Sequence, residues 1–121
     1  MRTHAAWMMA AAFAAALSFA VAPSTASAAD KKAERTWKAK CSSCHGIDGK
    51  GKTEMGTKMG IGDMTTAEFQ KDLTDAKIKA TIENGITREK NGKKQEMTSF
   101  KDDLSPEEIS ALVGWVKAFK K

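Results

Sequence analysis

Cys41-Ser42-Ser43-Cys44-His45 sets two thiols three residues apart and follows the second at once with an imidazole. On a helical turn, side chains at i and i+3 share a face. Both sulfurs can therefore add to the two vinyl groups along one side of a haem. The histidine then emerges beneath the ring centre, where a ring nitrogen can bind iron. This is the attachment spacing of c-type haem. His45 is also the only histidine beyond residue 28. Three other chemistries compete for the same residues: a thioredoxin-like dithiol, a plain disulfide, and a soft-metal site for copper completed by a methionine. The first needs alternating strands and helices, a pattern the chain does not show.

Directly after the histidine, Gly46-Ile47-Asp48-Gly49-Lys50-Gly51-Lys52-Thr53 satisfies the phosphate-loop pattern GxxxxGK[ST]. Such a loop binds phosphate only between a buried strand and a helix N-terminus. Here a cysteine pair precedes it and more glycine-rich loop follows, so nucleotide is not expected to bind. Iron held by His45 needs a second axial ligand, and with no other histidine the candidates are Met55, Met59, Met64 and Met97. Chain reach does not separate them, since ten residues can span roughly 33 Å. Each could equally fill core space, the usual task of methionine. Position favours Met97, which is expected in a loop shortly before the last helix, from where it can cover the open haem face.

The elements that must position these groups read as short helices joined by loops. Ala33, Trp37, Cys41 and Cys44 form one helical stripe, predicting a helix over 30–40 that runs into the cysteines. Glycines at 46, 49, 51, 56, 60 and 62 predict a loop. Thr65-Thr66-Ala67-Glu68 has capping-box spacing and opens a short helix carrying Phe69 and Leu73. Thr74 or Asp75 caps a helix through Asn84, with Ile78 and Ile82 on one face and Gly85 as its stop. Residues 87–96 are wholly polar, and Asn91-Gly92 marks a turn, with a short hairpin as one outcome. Ser105-Pro106-Glu107-Glu108 combines N-cap, N1 proline and capping-box glutamate. Ile109, Leu112, Val113, Val116 and Phe119 follow at helical spacing, with Trp115 at the edge.

The chain has 121 residues, 41% hydrophobic and 29% charged, with formal net charge +5. This excludes a low-complexity or disordered chain and allows one domain. Arg2, the Ala-rich apolar run from Ala5 to Ala22, and Ala26-Ser27-Ala28 have the layout of an export signal. Cleavage is expected after about Ala28, leaving 29–121 as the domain; retention as an anchor is the alternative. The remaining large apolar residues are few, and Cys41 and Cys44 lie too close to close a useful disulfide loop. Small domains with thin cores need another staple, such as a metal or a large cofactor.

Taken together, these residues resemble class I cytochromes c, the small single-haem electron carriers, over about Ala33 to Phe119. CSSCH at 41–45 matches the haem motif, and the glycines at 46, 49 and 51 resemble the turn after it. Gly56-Thr57-Lys58-Met59-Gly60 is similar to the family's Gly-Pro-x-Leu segment, and Met97-Thr98-Ser99-Phe100 to its Met-Pro-x-Phe segment. Leu104 to Ile109, with Leu112 and Trp115, resembles its closing helix, which would cross the first helix at Trp37. Two departures stand out. Thr57 occupies the place of a proline whose carbonyl orients the histidine ligand, and Thr98 replaces the proline after the axial methionine.

The resemblance implies an all-α fold of about four short helices wrapped around one haem c. Cys41 and Cys44 would hold the haem, with His45 and Met97 as axial iron ligands. It implies a soluble, monomeric, periplasmic electron carrier that is not an enzyme. The competing expectation is a haem sensor or weak peroxidase in which Met97 leaves and a small ligand binds. Arg88, Lys90, Lys93, Lys94 and Lys101 cluster around Met97 and would steer the protein to acidic patches on redox partners. Neither nucleic acid nor, after signal cleavage, a membrane is an expected partner.

Overall fold

The computed structural model describes Ser18 and residues 25–120, so the expected export signal lies almost wholly outside the described residues. Among the described residues, six helices and one hairpin follow in order: α1 (Thr25–Lys40), α2 (Ser42–His45), α3 (Glu54–Met59), α4 (Ala67–Gln70), α5 (Asp75–Asn84), β1 (Ile86–Lys90), β2 (Lys93–Met97) and α6 (Pro106–Ala118). The fold is small and mostly helical, with one two-stranded sheet. Its helices outnumber the expected four by two, because α2 stands apart from α1 as a single turn and α3 arises inside the glycine-rich stretch. Among the described residues, no helix is long and apolar enough to cross a membrane.

Helix α1 starts at Thr25, five residues earlier than the stripe predicts, and includes the small residues of the expected cleavage site. It packs against α6, and this crossing anchors the core. Trp37, Ile109, Leu112, Val113 and Val116 are buried there, joined by Ile78 and Ile82 of α5. Gln70 is a buried polar exception. Its side-chain amide donates to the carbonyls of Met64 (2.8 Å) and Val116 (2.9 Å), stitching α4 to α6.

The caps explain where the helices begin. Ser105 and Glu108 form the full capping box of α6, with Pro106 at its first turn. Thr74, not Asp75, caps α5. Thr66, not Thr65, caps α4, because the Thr65 hydroxyl is turned to Asp63 Oδ1. Glu68 then pairs with Lys71 instead of closing a box. The expected loop at 54–59 is helical because the Thr53 side chain accepts from Gly56 N, giving α3 an N-cap. Gly56 is required inside that helix: a Cβ there would stand 2.2 Å from the carbonyl oxygen of Gly51 and 2.4 Å from that of Cys44.

Polar residues 87–96 do form the hairpin. Asn91 and Gly92 supply the two positive-φ positions of a tight turn, and Ile86 pairs with Met97 at the open end. Met97 is therefore the last residue of a strand rather than part of a loop.

Two stability measurements check this account. Leu112 is 1% exposed, and Leu112→Ala is expected to cost about 2–5 kcal/mol in denaturant unfolding. The Ser105 amide holds the Glu108 carboxyl below the ordinary glutamate range. A carboxyl whose folded pKa is depressed stabilises above its unfolded value, near ~4.3, and loses that contribution as pH falls through the folded value. Thermal midpoints should therefore fall on acidification below about pH 4.3, and less steeply in Glu108→Gln.

Candidate functional site

The backbone of α1 passes almost unbroken into the cysteine turn. Cys41 N donates to Trp37 O (2.9 Å), and His45 N to Cys41 O (3.0 Å). Cys41, Cys44 and His45 thus lie on successive positions of one helical turn, as the spacing requires. Both cysteines are free thiols and half-buried, so the disulfide reading is not the arrangement found. Burial pushes the Cys41 thiol up to about 11, with nearby Lys40 opposing the shift.

His45 is fixed from two sides. Trp37 lies against its ring, with centroids 5.7 Å apart. The Trp37 indole N–H donates to Gly46 O at 3.0 Å, holding the turn that follows. Phe119 also packs against Trp37, with centroids 5.1 Å apart and planes tilted by 54°, and Trp115 meets Phe119 edge-on at 6.2 Å. Burial holds His45 below the ordinary imidazole range, so it is neutral near pH 7. Among the described residues no partner reaches its buried Nδ1, nor the buried Trp115 Nε1. The Thr57 carbonyl, which takes the place of the family's proline carbonyl, instead accepts from Lys93 Nζ (2.9 Å) and Gly60 N (3.2 Å).

The glycine-lysine stretch 46–53 wraps the turn. Gly51 N donates to His45 O (2.7 Å), Gly49 N to Gly46 O (3.2 Å) and Lys50 N to Asp48 Oδ1 (3.1 Å). Gly46 N also donates back to Ser42 O at 2.9 Å, and Thr53 Oγ1 to Cys44 O at 2.9 Å, so the stretch is tied to the turn it covers.

The four methionines separate clearly. Met64 is buried in the core and Met55 is exposed. Met59 is half-buried at the end of α3. Met97 is half-buried and packs against the same core cluster as Cys41, alongside Phe69, Leu73 and Phe100. The free thiols, the neutral imidazole, a thioether and this half-buried apolar surface suit a large, flat, apolar group carrying a metal.

Residues 28–116 match the family model described as cytochrome C oxidase, cbb3-type, subunit III. The chain belongs to this family. Among solved structures, the KustC0563 c-type cytochrome is 34% identical, with a TM-score of 0.61 over 74% of this chain and 98% of its own. A point variant of KustC0563 aligns similarly, at 32% identity and a TM-score of 0.59, covering 74% of this chain and 99% of its own. No curated protein matches. A cytochrome c domain carries haem c, covalently attached and containing iron, and such domains serve in electron transfer. The side chains found here fit that group: two unpaired sulfurs on one turn, a desolvated imidazole beside them, and apolar side chains only half covered by protein.

Reading the sequence missed Gln95, and it put Arg88 in the docking cluster where the structure turns it to Gln95. Gln95 is buried within the polar run. Its one sequence signal is that it stands two residues before Met97, on the same face of a strand.

In haem-free Cys44→Ala protein, alkylation of the remaining thiol by iodoacetamide should rise about tenfold per pH unit between 7 and 10 without levelling off. A plateau near pH 8.5, the ordinary thiol range, would show Cys41 to be solvated.

Proposed function

We propose that Cys41 and Cys44 hold haem c through two thioethers, that His45 and Met97 are the axial iron ligands, and that the protein is a periplasmic one-electron carrier rather than an enzyme. The observation that carries this reading is the gathering of two free thiols and a desolvated histidine on one turn, against a half-covered apolar surface that includes Met97. The haem supplies the Fe(II)/Fe(III) couple. The packing of His45 and Met97 against the core would keep both in place as the charge changes and shield the metal from water. With both residues holding the iron, no position would stay open for oxygen or peroxide. A thioether as second ligand also raises the potential relative to two histidines. An export-like leader, with Arg2, the apolar run Ala5 to Ala22 and Ala26-Ser27-Ala28, in the same chain as CSSCH supports the periplasmic reading.

For redox partners, Lys90, Lys94 and Lys101 are exposed, with Lys90 at the turn end of the hairpin and Met97 at its open end. Lys94 is paired with Glu96 at 3.0 Å, which weakens the patch. Lys93 and Arg88 are engaged inward as well. The reading is of a mildly basic docking face for an acidic partner.

Expression with haem-maturation machinery should yield a mass increased by one haem and a c-type pyridine haemochrome spectrum; a colourless product would refute the reading. Met97→Ala should abolish the near-infrared sulfur-to-iron band of the oxidised protein while the haem stays attached. Persistence of that band would identify another methionine. Electron transfer to an acidic partner should slow as salt rises, and Lys90→Glu should flatten that dependence. A rate indifferent to salt would remove the docking face.

A further inference from the structure

Strand alternation gives the hairpin two faces, and cross-strand partners share a face. Ile86 with Met97, Arg88 with Gln95, and Lys90 with Lys93 therefore lie together. Along β2, Gln95 is buried while Lys94 and Glu96 are exposed. This inner face meets the end of α3. The Gln95 amide nitrogen donates to Gly60 O at 2.8 Å and to Met59 O at 3.2 Å. Arg88 Nε donates to Gln95 Oε1 at 2.8 Å, which leaves the Gln95 amide a single orientation. Lys93 Nζ reaches Thr57 O one turn earlier. The Met59 and Gly60 carbonyls end a short helix, where acceptors lack intrahelical partners, while Thr57 O also accepts from Gly60 N.

The far end of α3 is tied to the cysteine turn. Its N-cap Thr53 donates to Cys44 O, and Gly51 N donates to His45 O. A chain of hydrogen bonds thus runs from the histidine turn through α3 to Gln95, and two residues further along the same strand face stands Met97.

Resting on the ligand assignment proposed above, we infer that Gln95, oriented by Arg88, is a positioning residue that governs how firmly Met97 is held at the iron. Gln95 touches neither iron nor haem in this role. It fixes the height of β2 against α3, and so the distance between the two strands of chain that carry the axial ligands. Replacing it with an apolar side chain of similar length leaves two carbonyls and the Arg88 guanidinium without their partner, and frees the end of β2.

Cyanide binding to the oxidised holoprotein reads this directly, because the anion enters only when the thioether leaves. Gln95→Met should raise the cyanide association rate about tenfold, the order expected for a lost buried hydrogen-bond pair. Arg88→Met, on an exposed residue that does not threaten folding, should raise it about threefold. In a Met97→Ala background, adding Gln95→Met should change the rate by less than about twofold, because the step it controls is gone. Unchanged rates in both single variants would overturn the inference. So would an equal acceleration with and without Met97, which would mean general loosening. If Gln95→Met does not fold, Arg88→Met together with its Met97→Ala double variant decides the matter in the same terms. A wrong ligand assignment shows separately, as Met97→Ala protein that keeps its near-infrared band and the parent cyanide rate; that result overturns this inference too.

Discussion

The buried hydrogen bond from the Trp37 indole to the Gly46 carbonyl joins two things that a small chain must keep in register. On one side is the crossing of α1 and α6, where Trp37 is 2% exposed and in contact with Phe119. On the other is the turn bearing His45, whose ring lies against the same indole. A buried donor without its acceptor is costly, so the indole cannot settle into the core unless the chain turns at Gly46 as it does. The core and the ligand turn are therefore one packing problem, and the helix crossing sets the direction of the imidazole.

From that anchor the remaining chain closes in two wraps. The first, residues 46–53, folds over the cysteine turn using its own amides, and Gly56 lets α3 come to rest on the Cys44 and Gly51 carbonyls. The second, the hairpin, brings β2 across the end of α3. Neither wrap contributes much buried apolar area. Both rely on polar groups that find partners only when the backbone is in place, which suits a domain whose apolar inventory is small and whose cofactor completes the interior.

Much of this was legible in the residues themselves. CSSCH fixed the turn, because thiols and imidazole at that spacing share one helical surface. Ser105 through Glu108 announced α6 by local chemistry alone, and Ile78 with Ile82 announced α5 by period. The misreadings share one cause. Glycine count argued against a helix at 54–59, yet Thr53 caps it and tertiary proximity demands glycine within it. Thr65 and Thr66 are equivalent by type, and only the competing bond to Asp63 decides between them. Gln95 falls in a run read only as polar. Its acceptors lie 35 and 36 residues away, at separations no local pattern reports.

Gly85 adds a different kind of dependence. The carbonyl oxygen of Met97 comes within 2.2 Å of where a Cβ would sit there, and Ser99 N within 2.9 Å. The end of α5 and the thioether-bearing segment thus occupy space that a single methyl would contest. Any side chain larger than hydrogen at that spot would push the two segments apart, so the seam between helix and hairpin closes only because a methyl group is missing there.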